Sequence, residues 1–234
     1  MSRLFEEAGY LKQAALIREK VLPLDKFKLF IDMDDPELVP EKMAKFIEEA
    51  EKYLDEPITF IPLSDYREFK INGNRTHYEK KFFSRRNMLF ALSLAEHYEN
   101  KGRFASKLCD VIWAMLEETS WVIHAHASTN PENPTAIVPP VYDEDTLHGI
   151  DLFSAATAAL LVTALHYNRE ALDSLSPIIA EKIIYEVKKR IIKPYLSFNF
   201  HWSGECGNKV NNWNPWITTN ILYVTALLEE NEYD

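Results

Sequence analysis

The chain has 234 residues, of which 47% are hydrophobic and 12% aromatic, so it can build one large hydrophobic core or two small ones. Its formal net charge of −10 argues against nucleic acid as the main partner, because phosphate binding needs an excess of lysine and arginine. Two cysteines, Cys109 and Cys206, do not suggest a disulfide-rich scaffold.

The sequence shows neither a signal peptide nor a membrane span. The first residues contain no apolar stretch of the kind that a secretory signal needs. The longest apolar run, around residues 155–165, is too short to cross a bilayer. We therefore expect a cytoplasmic protein that has no membrane partner and needs no cofactor.

Helical periodicity dominates the N-terminal part of the chain. It predicts an N-terminal helical segment over residues 1–56, with one helix over 1–22 and a second from Pro40 to Leu54. Residues 56–76 lack this periodicity, so we expect them to be strand-like or irregular and to end in a turn at 72–74.

From His77 onward, two kinds of helix alternate. Some are apolar on nearly all sides and should be fully buried, and the others carry a single apolar stripe. The buried type covers 77–100, 152–167 and 216–228, and the amphipathic type covers 104–118 and 177–192. The alternation predicts an all-α fold over residues 57–234, in which antiparallel helical hairpins form an inner and an outer layer of an (α/α) toroid. The third inner helix has no outer partner, so we expect the toroid to be incomplete and completed by the remainder of a longer chain.

Polar residues concentrate in the loops that lead into the three inner helices. Inner helices of such a layer run parallel, so the loops 72–77, 119–149 and 197–214 should meet at one end of the bundle and form a cleft. The candidate substrate-binding residues are Arg75, Tyr78, Arg86, His124, His126, Tyr142, His148, Trp202 and Trp213.

The asparagine-rich segment before the last inner helix is the most distinctive part of this cleft. Asn214 followed by Pro215 is typical of a helix start, with asparagine at the N-cap and proline at the first helical position. Asn211 and Asn212 then precede a helix N-terminus, where free N–H groups and the helix dipole favour an anion. A carbohydrate that bears a carboxylate suits this position. The alternative is that these asparagines only terminate a loop.

The same segment resembles a known family. The run Asn-Asn-Trp-Asn at 211–214 follows the pair His201-Trp202 and opens an inner helix after two hairpins, the first of which contains residues 81–86. This pattern resembles the N-terminal α/α-toroid domain of heparinase II/III-like polysaccharide lyases over roughly residues 60–230. Members of that family usually carry a C-terminal β-sandwich, for which this chain has no room.

The resemblance implies a domain that binds an acidic, uronate-containing oligosaccharide and contributes to its β-elimination. It implies that Asn212, or alternatively Asn211, neutralises the uronate carboxylate. It also implies that the catalytic tyrosine and at least one histidine lie beyond residue 234. His201 is the third catalytic candidate, as a base or as a donor to the substrate, although a histidine beside a tryptophan is often simply packed.

The residue types are consistent with that reaction. The proton next to a uronate carboxylate becomes acidic only when the carboxylate charge is masked, which an amide or imidazolium donor does. A histidine or tyrosine then removes the proton, and a tyrosine protonates the leaving oxygen. Tryptophan and tyrosine offer flat faces to sugar rings.

Several residues have a second interpretation. His124 and His126 could be metal ligands with His148 or Cys206, but a His-x-His pair is a weak signal and we expect no metal. Asp151 either lines the cleft or lies in the first turn of a helix.

The charged residues of the first hairpin are also ambiguous. Arg85 and Arg86 either hold an anionic sugar or form surface ion pairs with Glu79 or Glu96, whereas Glu118 is expected to be solvated.

Two other classes of protein remain open. A glycoside hydrolase on a similar helical barrel would need two carboxylates in the cleft, for which the loops offer Asp143, Glu144, Asp145, Asp151 and Glu205. A non-catalytic scaffold of helical hairpins would bind a carbohydrate or a protein and cleave nothing.

Overall fold

The computed structural model describes residues 40–131, 134–143, 145–204 and 211–230. Within these ranges the chain forms helices and loops but no strand, which confirms the all-α prediction. No described helix combines the length and the apolar character that crossing a bilayer requires. The helix predicted over 1–22 lies outside the described residues.

The helices are short to medium in length and follow one another closely. In chain order they are α1 Pro40–Asp55, α2 Leu63–Asn72, α3 Thr76–Glu99, α4 Ala105–Leu116, a 3₁₀ helix His124–Thr129, α5 Leu152–Tyr167, α6 Arg169–Leu175, α7 Pro177–Val187, a π-helical turn Lys188–Ile192, α8 Lys193–Ser197 and α9 Trp213–Glu230.

Most of the longer helices lie where the sequence predicts them. α5 has the predicted bounds, and α1, α3 and α4 agree to within two residues at each end. The amphipathic segment predicted over 177–192 is α-helical only to Val187 and then widens into the π-helical turn.

In the segment 56–76, predicted to be strand-like or irregular, residues 56–62 are irregular and the chain turns at Gly73 as expected. The prediction is wrong for residues 63–72, which form the helix α2. Tyr66 is its one buried residue, so the helix shows little apolar periodicity in sequence. It packs against the 3₁₀ helix, and that tertiary contact compensates for the weak pattern. Gly73 ends α2 in a left-handed conformation with φ 78°, which glycine adopts without steric cost.

The start of α9 also differs from the prediction. The helix begins at Trp213, so Asn214 is a helical residue and not the N-cap. The side-chain oxygen of Asn211 accepts a hydrogen bond from the N–H of Trp213 at 2.9 Å, which turns the chain into the helix earlier than expected. Pro215 still lies in the first turn, where a missing N–H breaks no helical hydrogen bond.

The three mostly apolar helices α3, α5 and α9 run parallel. Near the start of α3 and α5, the rings of Phe83 and Phe153 lie 5.1 Å apart. At the far ends, His97 Nδ1 lies 2.9 Å from the carbonyl oxygen of Tyr167. On the other side of α5, the hydroxyl groups of Thr163 and Tyr223 are 3.0 Å apart, each about ten residues into its helix. His126 contacts both Phe153 at the start of α5 and Trp213 at the start of α9, so the starts of the three helices face the same end of the molecule.

The remaining long helices cover this layer. α4 packs on α3, and α7 packs on both α4 and α5. α1, which precedes α3 in the chain, also packs on α3. One continuous hydrophobic core joins these elements, with Leu92, Ile112 and Val162 fully or almost fully buried. The loops before α5 and α9 meet where the rings of His126 and Trp213 lie 4.6 Å apart, and that is where the candidate site lies.

Candidate functional site

A histidine and an aspartate from neighbouring elements form a pair at the end where the helices begin. Nδ1 of His126, in the 3₁₀ helix, lies 2.8 Å from Oδ2 of Asp151, at the start of α5. Asp151 is completely buried, whereas the side chain of His126 is 16% exposed. The imidazole is therefore the part of the pair that a ligand can reach.

Asp151 holds its position through both carboxylate oxygens. Oδ1 accepts hydrogen bonds from the N–H groups of Phe153 at 3.1 Å and Ser154 at 2.7 Å, which caps α5. The hydroxyl of Ser154 accepts in return from the N–H of Asp151, completing a capping box. Oδ2 is left for His126 and for the N–H of Ile123 at 3.3 Å. A buried carboxylate with this many donors is fixed in orientation.

The pair determines which nitrogen of His126 carries the proton in the neutral ring. A carboxylate only accepts, so Nδ1 donates to Asp151 and Nε2 is left with a lone pair. This is the arrangement in which a histidine serves as a general base. The aspartate also stabilises the imidazolium that forms when Nε2 takes a proton.

Aromatic rings line the histidine on two sides. His126 stacks on Phe153 with ring centroids 5.8 Å apart, and it lies 4.6 Å from the indole of Trp213. The same indole contacts a second histidine, His201, at 6.0 Å. Trp213 is half-buried and His201 is exposed, so two imidazoles flank a partly open aromatic face.

The two candidate asparagines are exposed beside that face. Asn211 and Asn212 directly precede α9, an 18-residue helix. Asn214 donates a hydrogen bond from its side-chain amide to the carbonyl oxygen of Ser203 at 2.8 Å, which ties the start of α9 to the segment that carries His201. Thus the rings of His126 and His201 both lie near Trp213, and Asn211 and Asn212 immediately precede it in the chain.

Trp202 is a correction to the sequence analysis. It is fully buried, its indole N–H donates to the carbonyl oxygen of Ile150 at 2.9 Å, and its ring stacks on Phe200. A side chain with no exposed face cannot stack on a sugar, so Trp202 is a core residue that joins the two loops.

Tyr142 and His148 form a separate stacked pair. Their ring centroids are 3.6 Å apart, and the tyrosine hydroxyl donates to Asn130 Oδ1 at 2.8 Å. His148 is buried, and burial, with Arg190 and then Lys189 contributing, lowers the pKa of its imidazole to about 3. Burial likewise raises the pKa of Tyr142 to about 12. Both rings are neutral at pH 7, and their stacking stabilises the 119–149 loop. Because His148 is buried, a direct role for it in substrate binding is not supported.

His124 and Tyr78 are buried on the opposite side of the 3₁₀ helix from His126. Their ring centroids lie 4.5 Å apart in an edge-on contact, and each is at most 5% exposed. Burial lowers the pKa of His124 and favours its neutral form. Neither residue is open to a polysaccharide, which corrects their assignment to the cleft.

The arginines are placed differently from both sequence interpretations. Arg86 is 8% exposed and binds Glu118 through two nitrogens at 2.7 Å and 2.6 Å. Arg85 also binds Glu118, at 3.0 Å, so the three side chains form a buried charged triad. The prediction that Glu118 is solvated is therefore wrong. The guanidinium group of Arg86 is buried and bound to this glutamate. Arg75 is exposed and pairs with Glu79 at 2.5 Å on the surface of α3.

The described residues contain no cluster of three or more histidine, cysteine, aspartate or glutamate side chains that could hold a metal ion. His124 and His126 contact different rings, so they do not converge on one point. Cys206, Glu144 and Glu205 lie outside the described residues.

The pairing of His126 with Asp151 is the feature that sequence reasoning missed. Both residues are candidates by type, but 25 positions separate them and no spacing rule connects them. The only sequence signal is the position of Asp151 just before a long apolar helix, which is typical of an N-cap and hence of a fixed carboxylate.

No family model matches the sequence, and no curated protein matches it either. The case for a function therefore rests on the residues of the cleft.

Proposed function

We propose that this chain is a lyase-type helical domain of the (α/α)-toroid class that binds an acidic oligosaccharide and contributes to its β-elimination. The observation that carries the proposal is the His126–Asp151 pair beside Trp213, with His201 and the two asparagines next to it. The parallel course of α3, α5 and α9 supports the toroid, because inner helices of that architecture run in the same direction.

His126 is assigned as the base. Its Nε2 removes the proton next to the uronate carboxylate, and Asp151 stabilises the resulting imidazolium. Charge develops on the carboxylate side as the proton leaves. Asn212, or Asn211, donates an amide N–H to the carboxylate there, beside the positive end of the α9 dipole.

Trp213 and His201 are assigned to substrate placement. The half-buried indole gives one sugar ring a flat surface within reach of His126. His201, on the other side of that indole, is positioned to donate a hydrogen bond to the sugar or to the departing 4-oxygen. The bond from C4 to that oxygen breaks as the double bond between C4 and C5 forms, the departing oxygen takes a proton from water, and the imidazolium of His126 returns its proton to the solvent.

The environment of the loop acids favours this assignment over a glycoside hydrolase. Asp151 is completely buried and its oxygens bind backbone N–H groups and His126. Asp143 accepts hydrogen bonds from the N–H and hydroxyl of Thr146 in an exposed turn. Asp145 lies in the same exposed turn and donates its N–H to Asp143 Oδ1, so none of the three described loop acids is arranged as one of two carboxylates facing each other across a cleft.

The experiment is an assay on defined acidic polysaccharides: heparan sulfate, chondroitin sulfate, alginate and polygalacturonate. Elimination gives an unsaturated uronate that absorbs in the ultraviolet, whereas hydrolysis gives new reducing ends without that absorbance. Binding is measured in parallel by the fluorescence of Trp213, with Trp213→Phe as the control. Reducing ends without ultraviolet absorbance, or no binding to any of the four polymers, would overturn the proposal.

A further inference from the structure

A concave basic surface lies where α7 passes through the π-helical turn into α8. Its volume is about 390 Å³, and it is lined by Tyr185, Lys188, Lys189 and Lys193. We call this surface the lysine groove. No acidic side chain of the described part of the chain belongs to its lining. Three ammonium groups around one groove create a local positive field, although the formal net charge of the whole chain is −10.

The π-helical turn Lys188–Ile192 brings the lysines of the groove towards one face. The N–H of Lys193 donates to the carbonyl oxygen of Lys188, five residues earlier. In a regular α-helix, residues five apart point about 140° away from each other. The wider turn reduces this angle, so Lys193 comes closer to the face that carries Lys188 and Lys189. π-Helical turns are rare and often occur at functional sites, which makes this one a candidate for a binding role.

Arg190 holds the turn in place from the inside. This residue is buried, and its guanidinium group donates to the carbonyl oxygens of Leu116 at 3.0 Å and Glu118 at 2.5 Å. Its Nε also donates to the carboxylate of Glu186 at 2.6 Å. The acid that the same helix carries next to the groove is therefore bound to a buried cation and does not line the groove.

Tyr185 gives the groove an aromatic face. The residue is 58% exposed, and Nζ of Lys189 lies 5.9 Å from the centre of its ring. Sugar rings stack on such faces, and lysine ammonium groups pair with carboxylates or sulfates. An exposed ring among cations suits an acidic carbohydrate, because a neutral sugar or an inorganic anion would use only one of the two features.

The groove lies beside the loop that carries the candidate base. Cζ of Arg190, in the same turn as the lysines, is 4.7 Å from the ring centre of Trp121. Trp121 belongs to the 119–149 loop, which also contains His126. A polysaccharide that occupies the His126 cleft has further sugar units on both sides of the reacting one, and a second basic surface at this end of the molecule can bind such units.

We infer that the lysine groove is a second binding site for an acidic polysaccharide, in which the lysines pair with carboxylate or sulfate groups and Tyr185 stacks on a sugar ring. The groove adds affinity and takes no part in bond cleavage. The choice of an acidic polysaccharide rests on the proposed function, whereas the groove itself does not depend on the chemistry in the cleft.

Hexagalacturonate, which carries a carboxylate on each ring, is the first probe, and maltohexaose is its neutral counterpart. A heparin-derived hexasaccharide distinguishes pairing with sulfate from pairing with carboxylate alone. Each is titrated into the isotope-labelled protein, and binding is followed by backbone amide shifts in NMR spectra. At least one acidic probe should shift amides of residues 185–193, and maltohexaose should not.

Replacing all three groove lysines by glutamine should weaken binding of that acidic probe at residues 185–193 about tenfold, as expected for the loss of three exposed ion pairs. Affinity for wild type should also fall more steeply with NaCl concentration than affinity for this variant, because salt screens exposed charges. Tyr185→Ala should lower the affinity about threefold, whereas Tyr185→Phe keeps the ring and should retain it.

The matched control replaces Lys45, Lys52 and Lys70 by glutamine. These lysines are exposed on α1 and α2, and their loss changes the net charge by the same amount. The control should keep the wild-type affinity, and thermal unfolding shows whether each variant is folded. Equal losses in both triple variants would mean that only the overall charge matters and would overturn the inference.

Trp213→Ala separates the groove from the cleft. It should leave the shifts of residues 185–193 in place, because it alters only the face beside His126. Elimination that proceeds without any shift at residues 185–193, or shifts there that the groove variant retains in full, would overturn the inference and leave the proposed function standing. Shifts at the groove without elimination of any polymer would overturn the proposed function and leave the groove as a carbohydrate site.

Discussion

The carboxylate of Asp151 caps α5 with one oxygen and holds the imidazole of His126 with the other, at 2.8 Å. The same side chain therefore fixes the start of a core helix and the orientation of the candidate base. Since the carboxylate is completely buried, its position depends on the packing of α5 and not on a mobile surface loop. This coupling allows the structural and the catalytic contribution of one residue to be separated by mutation.

Asp151→Asn should lower the rate of elimination by about 10²-fold or more, because the amide no longer holds Nδ1–H of His126 or stabilises its cation. Asparagine remains a good N-cap, so stability should change little. Ser154→Ala is the matched control, since it removes one half of the capping box and leaves the contact to His126 intact. The rates of uronate release by the two variants are compared. Equal losses in both would show that Asp151 acts only as a cap.

Asn212→Ala should reduce turnover on the order of 10²-fold, as expected for the loss of one donor to a developing charge. The Michaelis constant should change less than the catalytic rate constant. Asn220→Ala is the control in the same helix, where the side chain donates only to the carbonyl oxygen of Trp216. A decrease of less than a few-fold in Asn212→Ala would remove this residue from the catalytic assignment and leave Asn211 to be tested.

Trp213→Ala should weaken oligosaccharide binding by about tenfold, because a stacked aromatic face contributes on the order of 1 kcal/mol or more to binding. Trp216, in the first turn of the same helix, is 54% exposed and is not one of the ring contacts of His126. Trp216→Ala therefore serves as the matched control and should retain wild-type affinity in isothermal titration calorimetry. A loss that occurs only in Trp216→Ala would place the sugar on another face of α9.

Glu118→Gln should destabilise the protein by about 3–5 kcal/mol, because Arg85 and Arg86 would be left without a counter-charge in the interior. Glu117→Gln, at the neighbouring position, breaks a pair whose glutamate is 56% exposed and should cost less than about 1 kcal/mol. Urea unfolding of the two variants gives both values. Similar small losses would mean that the triad is solvated in solution.

The buried imidazole of His148 should make the protein sensitive to mild acid. Its pKa is lowered from 6.5 to about 3 in the folded state, chiefly by burial and then by Arg190 and Lys189. Between these values the unfolded chain binds a proton that the folded protein does not, so stability is lost as the pH falls from 6.5 towards 3. The contribution of this one group has a slope of up to about 1.4 kcal/mol per pH unit.

His148→Phe keeps a flat ring against Tyr142 and removes the titrating group. The free energy of unfolding of wild type should therefore fall more steeply between pH 6 and 4 than that of the variant. Urea unfolding at several pH values measures both slopes, and identical slopes would exclude His148 as the cause.

The sequence by itself determined the helical class, the bounds of α3, α4 and α5, and the residue types gathered near the start of α9. These features follow from apolar periodicity and turn chemistry, which act over a few residues and can be read locally. It also indicated that the inner helices run parallel, and the contacts at both ends of α3 and α5 bear this out for that pair.

Only the tertiary structure decided which of those residues meet. His126 pairs with Asp151 across 25 positions, and Glu118 binds arginines 32 and 33 positions away, because the helices that carry them pack side by side. The same packing buries Trp202 and makes a helix of α2, whose own sequence pattern is weak. Contacts between distant segments depend on how several helices fill one core, and no local pattern specifies that arrangement.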